Sequence, residues 1–586
     1  MKRYIMKRLN FIFIALAMLL CTKTSGREVH LTLLETSDVH GNFFPYDFLN
    51  GGVPGSGSLS RVATYVSRLR ETQGDSAVLL LDNGDILQGQ PSAYYYNVVN
   101  VADRHLCADI LNYMHYDAAT LGNHDVEAGH SVYDRWMAQC HLPMLGANVV
   151  RTDNDEPYIL PYTILERQGV RIAILGLVTT GIPQWLPENL WSGLRFEDME
   201  TVARRYMPEM RAKADIVVGL FHSGVGSAEH YAPMVENASA EVARRVPGFD
   251  IVFCGHDHRR ANRTLTNVEG GTVVLLNPAA DAHAVAKADI VVQLEPEGTT
   301  SVRVKGEIVD VDDLPPSADF MQQFERQCQE VKAFTHEVVG KCTSTMTTLP
   351  AYFGPSAFID FIHSMQLEIS GADISFAAPL AFDATIPKGP IRVSDLFNLY
   401  RYENMLYVME LTGREVKAYL EYSYAGWVQT MSSPDDHLLL FRQNPDQIPD
   451  LWQRLKSPNF NFDSAAGIRY TVDVTRPAGE RINILSMADG TAFDEAATYR
   501  CALNSYRGNG GGRHLTEGAG IPAADLQQRI VWSTEKDLRY YMMQRIREMK
   551  KISPQPLGLW KLIPEDWVEQ ARKRDERLLT GNEKPR

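Results

Sequence analysis

Val29-His30-Leu31-Thr32-Leu33-Leu34-Glu35-Thr36-Ser37-Asp38-Val39-His40-Gly41-Asn42 is an apolar run that breaks off into a polar cluster. Val29–Glu35 is short and rich in aliphatic residues, as a strand buried on both faces must be. The same unit recurs. Ala77–Leu81 is followed by Gly84-Asp85, and Asp117–Leu121 by Gly122-Asn123-His124-Asp125. Ile216–Phe221 leads into His222-Ser223-Gly224, and Phe249–Cys254 into Gly255-His256-Asp257-His258. Val170–Leu177 is a further strand, and helical patterns such as Leu59–Glu71 and Met199–Ala212 lie between. Strands alternating with helices predict a layered α/β domain. In such sheets the carboxyl ends of the strands line the ligand crevice, so five clusters far apart in sequence are expected on one rim.

The residue types in those clusters are Asp, Asn and His. A mixture of carboxylate, amide and imidazole suits zinc, manganese, iron or cobalt better than an all-oxygen cage for magnesium or calcium. Alternate residues of an extended segment share a side, so Asp38 with His40, and His256 with His258, can each address one ion. Two ions about 3.5–4 Å apart clamp a phosphoryl group and lower the pKa of a shared water. Nothing requires a nucleophilic serine or cysteine: no Gly-x-Ser-x-Gly is present, and Cys254 closes a strand as a packed thiol.

The whole chain has 586 residues, 45% hydrophobic and 22% charged, with 42 Gly and 30 Pro. That balance excludes collagen-like, mucin-like and largely disordered chains, and one N-terminal apolar run excludes a polytopic membrane protein. Met1–Gly26 reads as a secretory signal: Lys2, Arg3, Lys7 and Arg8, then apolar Leu9–Leu20, then Thr24-Ser25-Gly26. Its removal takes five basic residues and shifts the net charge from −14 to −19. The expected location is the periplasm, the cell envelope or the medium, with lipid attachment through Cys21 as the alternative. An acidic surface argues against a nucleic-acid polymer as partner and leaves small phosphate esters open. Seven cysteines at 21, 107, 140, 254, 328, 342 and 501 show no Cys-x-x-Cys. Cys107 with Cys140, or Cys328 with Cys342, can pair outside the cytoplasm, and isolated thiols are the equal alternative.

Asp312-Asp313-Leu314-Pro315-Pro316 marks a break. Ala318–Val339 then reads as one helix that packs through Phe320, Phe324, Val331 and Phe334. A second domain follows from near Gly340, with a helix at Ala357–Ile369, strands at Tyr407–Leu411 and Arg469–Val474, and a glycine-rich loop at Gly508–Gly512. From Lys551 the chain is Pro- and Trp-containing and then carries a charge run of mixed sign over 570–577, the composition of a solvated helix or tail. The organisation is thus a signal (1–26), a catalytic domain (27–316), a connecting helix (317–340), a substrate domain (341–550) and an extension (551–586).

The five clusters resemble the motifs of the calcineurin-like metallophosphoesterases, in the branch of secreted 5′-nucleotidases and 2′,3′-cyclic-nucleotide phosphodiesterases. The resemblance implies a layered α/β/β/α sandwich plus a C-terminal α/β nucleotide-binding domain, and two divalent cations such as zinc, manganese or cobalt. It implies one ion on Asp38, His40, Asp85 and His258, and the other on Asp85, Asn123, His222 and His256. His124 matches a non-ligand that contacts the phosphate. The acid that orients it in the family, usually Asp, falls at Glu127 here, with Asp125 as the alternative partner. Tyr402 and Tyr506 match the aromatics that sandwich the base. Family members rotate the two domains, which makes 318–339 the hinge candidate. Two departures stand out. Ala377-Ala378-Pro379-Leu380-Ala381-Phe382 replaces the Asn-Gly-Gly-x-Arg of 5′-nucleotidases, and Gly512 stands where their loop has Asp. Tyr402-Glu403-Asn404 and Phe462–Tyr470 look more like the 2′,3′-cyclic-nucleotide 2′-phosphodiesterase/3′-nucleotidase branch. The implied substrates are small nucleotides.

Overall fold

The computed structural model describes residues 26–51, 57–226, 230–231, 234–295 and 298–581. The leader, with Cys21, lies outside the described residues except for Gly26. The chain forms two compact units. The first takes in described residues up to Pro45, then through Gly181, and Trp191–Glu325; the second takes in Ile182–Leu190, Arg326 onward and the residues from Tyr46.

The first unit is built on two six-stranded sheets. In one, Arg27–Thr36, Val78–Asp82, Ala118–Thr120 and Met144–Leu145 run parallel, and Ala284–Glu295 pairs antiparallel to the first of them. In the other, Val170–Val178, Ile216–His222, Ile251–Cys254 and Thr272–Asn277 run parallel. The period-two geometry of a strand sorts its side chains into layers. Along Ile216–His222, residues Ile216, Val218 and Leu220 join Leu31, Leu33, Leu79 and Phe253 in one apolar layer shared by both sheets. Val217 and Phe221 point the other way, into the layer that includes Val202 and Met210 of the helix Met199–Lys213. The helix Leu59–Gln73 packs on Val78–Asp82 of the first sheet through Val62 and Val66. The result is the four-layer α/β/β/α sandwich.

The second unit has a five-stranded sheet in the order Ser464–Ala466, Ile374–Ala377, Thr498–Asn504, Met405–Thr412, Ile530–Asp537. Thr412 ends its strand and caps the helix Gly413–Trp427: its hydroxyl accepts from the Glu415 amide, and Glu415 accepts from the Thr412 amide. Behind the sheet, Trp427, Tyr424, Phe462, Tyr470 and Trp560 stack in one aromatic core.

Two expectations change here, and one open alternative is decided. Ala318–Val339 is two helices, Ala318–Gln323 and Glu325–His336, broken at Phe324 (φ −109°, ψ 19°), and Val338–Cys342 is already a strand. Phe320 and Phe324 are both buried beside Tyr113 of the first unit, and the helix turns where that anchoring ends. The stretch after Lys551 is folded: Trp560–Ile563 pairs with Ile468–Asp473, and the charge run lies on the helix Glu565–Thr580. Among the described residues neither Cys107 with Cys140 nor Cys328 with Cys342 forms a disulfide, so the isolated-thiol alternative holds.

Within that charge run Asp575 is fully buried, and its carboxylate accepts from the amides of Leu438 and Leu439 and from His437 Nδ1. Asp575→Ala orphans two buried donors at about 1–3 kcal/mol each, read as a lower midpoint in urea. The hydrogen bond that His437 donates to Asp575 raises the pKa of His437. Its contribution is therefore full below the unfolded value of about 6.5 and is lost as pH rises through the folded one. His437→Ala is expected to cost stability in mild acid and nothing at alkaline pH.

Candidate active site

At the carboxyl ends of the parallel strands the backbone leaves the ordinary regions. Asp38 (φ 50°), His40 (φ 50°), Asp85 (φ 57°), His256 (φ 70°) and His258 (φ 54°) are all left-handed, a conformation that non-glycine residues adopt at a cost. The strain is held by specific bonds. Asp125 accepts from the amides of Asp85, Ile86, Leu87 and Gly122, which fixes the Asp85 turn. Gly84 (φ 84°) passes so close to the backbone of Gly122 that no side chain fits. The His256 amide donates to Asp38 at 2.9 Å.

The structure brings together all seven residues expected as ligands, in two sets. Asp38, His40 and His258 offer donor atoms within 4.8 Å of one another, and so do Asp85, His222 and His256. In the first set His40 Nε2 faces His258 Nε2 at 3.1 Å, and His258 Nε2 lies 3.3 Å from Asp38 Oδ1. His40 Nδ1 is 3.2 Å from the Gln88 carbonyl, so it carries the proton and leaves Nε2 as a lone pair. In the second set His222 Nδ1 donates to the Asn83 carbonyl at 2.7 Å. Its Nε2 then faces two acceptors, Asp85 Oδ2 at 3.2 Å and Asn123 Oδ1 at 3.1 Å. No hydrogen bond reaches buried Asp85 Oδ2. His256 presents Nδ1 to Asn123 Oδ1 at 2.7 Å.

Acceptors facing acceptors need a positive charge between them. A proton can fill one such gap: burial opposes it on His222, yet Asp85 outweighs burial and pushes that imidazole up to about 9. A cation replaces that proton, so the donor sets fit two divalent ions, and metal affinity falls as pH falls below about 9. Burial alone would raise the Asp85 carboxyl; His222 and His124 reverse this and hold it well below the usual range. Burial holds His40 below its ordinary value, which keeps its lone pair free.

His124 heads the short helix Asn123–Glu127, and its amide donates to Asp85 Oδ1 at 2.8 Å. Its Nδ1 pairs with Glu127 Oε2 at 2.5 Å. Asp125 faces away into the Asp85 turn, so the alternative partnership with His124 is not formed. Residues i and i+3 share a helix face and i and i+1 do not, which separates the two acids. Burial opposes charge on His124, but Asp85, then Glu127, overcome it and hold the ring protonated up to about 10.

One group had no signal in the sequence. Glu236, from a loop, places Oε1 2.9 Å from His256 Nε2. A carboxylate there fixes the tautomer that exposes Nδ1. Glu236→Ala is expected to weaken manganese binding about 10–100-fold, by calorimetric titration, with the circular dichroism spectrum unchanged. His130 and Arg135, by contrast, turn to Asp134 and to the carbonyls of Ser192, Val101 and Tyr96, away from the donor sets.

In the second unit, Tyr402 and Phe460 meet edge to face at 6.4 Å. Burial raises the pKa of the Tyr402 hydroxyl, Arg401 offsets part of this, and neighbouring Tyr506 adds to it. Tyr506 is 37% exposed, with its ring laid against Gly511. Phe460, two residues before Phe462, is a second group without a sequence signal of its own.

A two-sheet sandwich with paired Asp/His donor sets at its strand ends defines a metal-dependent phosphoesterase. The family comparisons agree. Residues 31–260 match the calcineurin-like phosphoesterase model, and residues 338–517 match the 5′-nucleotidase C-terminal domain. The chain belongs to the calcineurin-like phosphoesterases that carry a 5′-nucleotidase C-terminal domain, and it is a phosphoric ester hydrolase. Among curated relatives it is 27% identical to the 2′,3′-cyclic-nucleotide 2′-phosphodiesterase/3′-nucleotidase of Salmonella typhimurium, over 86% of this chain and 85% of that one. It is 25% identical to the trifunctional nucleotide phosphoesterase protein YfkN of Bacillus subtilis, over 92% of this chain but only 39% of that protein. The putative 5′-nucleotidase of Staphylococcus aureus, solved with alpha-ketoglutarate, shares the fold: TM-score 0.72, 23% identity, 91% of this chain and 99% of that one. Among the described residues no helix is long and apolar enough to cross a membrane.

Proposed function

We propose that the chain is a dimetal nucleotide phosphohydrolase, a 2′,3′-cyclic-nucleotide 2′-phosphodiesterase/3′-nucleotidase that serves nucleotide salvage outside the cytoplasm. The observation that carries the dimetal part is the pair of donor sets in which lone pairs face carboxylate and amide oxygens across gaps of 3.1–3.3 Å. Asp38, His40 and His258 would hold one ion, and Asn123, His222 and His256 the other. Asp85, grouped with His222 and His256, would serve both ions, since its charge acts on His40 as well as on His222. Ions held there would neutralise phosphoryl oxygens and would make water a nucleophile at neutral pH.

His124 gives Nδ1–H to Glu127 and keeps a second proton on Nε2, for the charge that develops at the departing oxygen. Its side chain is 34% exposed, so substrate can reach it. Tyr402 and Tyr506, with Phe460, supply ring faces for the base, a contact that tolerates any base because each has a π-face. The names of the relatives support the substrate class. The absence of a carboxylate at Gly512 supports a sugar held otherwise than in 5′-nucleotidases.

The test is release of phosphate and nucleoside from 2′,3′-cyclic AMP, 3′-AMP and 5′-AMP by the purified protein with manganese or cobalt. The cyclic and 3′ substrates are expected to exceed 5′-AMP in kcat/KM by about tenfold or more, a difference of about 1.4 kcal/mol. Preference for 5′-AMP would keep the dimetal chemistry and make the chain a 5′-nucleotidase.

A further inference from the structure

Arg507 is the residue after Tyr506, and it is buried: its side chain and that of Asp463 are each 3% exposed. A buried guanidinium must be fully satisfied. Arg507 Nε donates to Asp463 Oδ2 at 2.8 Å, and the phenol of Tyr419 donates to the same carboxylate. The remaining donors leave this pair in two directions. Nη1 donates to the carbonyl of Gly511 at 3.0 Å, and Nη2 to the carbonyl of Phe460 at 2.6 Å. Gly511 is the residue on which the Tyr506 ring rests, and Phe460 carries the ring that meets Tyr402. One planar, preorganised fork therefore ties the segment carrying Tyr506 to the segment carrying Phe460.

The guanidinium also fills the space under the loop. Gly512 has φ 68°, and a Cβ there would overlap Arg507 Nη1 and come within 2.7 Å of Asn461 Oδ1. His514 locks the same turn from the far side: Nδ1 lies 2.9 Å from the Gly512 carbonyl and Nε2 3.1 Å from that of Asn461. A carboxylate at position 512 and this arginine are thus alternative occupants of one place.

We infer that Arg507, charge-balanced by Asp463, is a positioning residue: it sets the separation of the Tyr506 and Phe460 ring faces and thereby the affinity for a nucleoside, without touching the reacting phosphate. The inference rests on the proposed role of these rings in base binding. An aromatic slot gains from being held at its working width before the base arrives, because the ordering cost is met in the fold.

The test uses the full chain with its cations. Replacing both partners by apolar side chains, Arg507→Met with Asp463→Leu, leaves no unpaired charge and is commonly neutral for stability, whereas Arg507→Met alone strands Asp463. The double variant is therefore measured, with thermal unfolding to establish that it is folded. Tyr506→Ala serves as the control for the slot, and Asp463→Asn, which keeps an acceptor for Nε, as the conservative variant. Adenosine affinity is read by calorimetry, and KM and kcat are read on 3′-AMP and on glycerol 2-phosphate, which has no base. For the double variant we expect adenosine affinity to weaken and KM for 3′-AMP to rise, each at least tenfold, with kcat on 3′-AMP and kcat/KM on glycerol 2-phosphate within about twofold of the parent. Asp463→Asn is expected to recover most of the loss. If Tyr506→Ala raises KM and the folded double variant does not, the positioning role is overturned. If Tyr506→Ala leaves adenosine affinity and KM unchanged, base binding by these rings is overturned instead. A fall on both esters alike also overturns the positioning role, because it places the effect at the phosphate. Should the double variant be unfolded, Asp463→Asn with Arg507→Lys carries the same expectation in weaker form, a rise of at least threefold in KM for 3′-AMP alone.

Discussion

His124→Ala lowers kcat by about 10²–10³-fold while the chain keeps both cations, the loss typical of removing one preorganised group that stabilises developing charge. No other residue separates the two effects so cleanly. The side chain of His124 belongs to neither donor set, yet its amide holds Asp85 Oδ1 and its ring stands 5.4 Å from that of His40. Metal content measured by atomic emission should match that of the parent. Glu127→Gln removes a carboxylate that, after Asp85, helps hold the His124 proton. The imidazolium then deprotonates at lower pH, so the alkaline limb of the rate profile shifts toward neutrality. An unchanged limb with a fallen rate would assign Glu127 to packing alone.

Asp85→Asn is expected to lower kcat by at least about 10³-fold, because metal polarisation supplies several kcal/mol and in the proposed site this carboxylate would serve both ions. It also releases His222: without the Asp85 charge, burial dominates and the imidazole loses the proton it otherwise holds up to about 9. Manganese titration should show weaker binding of both equivalents. Loss of one equivalent only would mean that Asp85 serves a single ion.

Why these residues were visible in the sequence, and others were not, follows from how each is held. Asp38, His40, Asp85, Asn123, His222, His256 and His258 each follow an apolar strand, and the parallel order of those strands carries them to one end. Glu236 sits in a loop and Phe460 in the single 3-10 turn Asn459–Asn461, with no flanking pattern to mark them, and they reach His256 and Tyr402 only through the fold. The choice between Asp125 and Glu127 becomes clear once Asn123–Glu127 is helical, which the Gly-Asn-His-Asp turn does not announce. The break at Phe324 has neither glycine nor proline, and Phe320, Phe324, Val331 and Phe334 keep a helical stripe across it. Arg507 was in plain view beside Tyr506. Its partner Asp463 lies 44 residues away, and only the fold makes them a pair.

The most direct measurement is a calorimetric titration of the metal-free protein with manganese, run alongside phosphate release from 3′-AMP. Two equivalents per chain, with turnover appearing as they bind and affinity weakening as pH falls below about 9, where His222 takes up its proton, is the expected result. Hydrolysis by the metal-free chain, or full turnover at a single equivalent, would contradict a dimetal site built on Asp85.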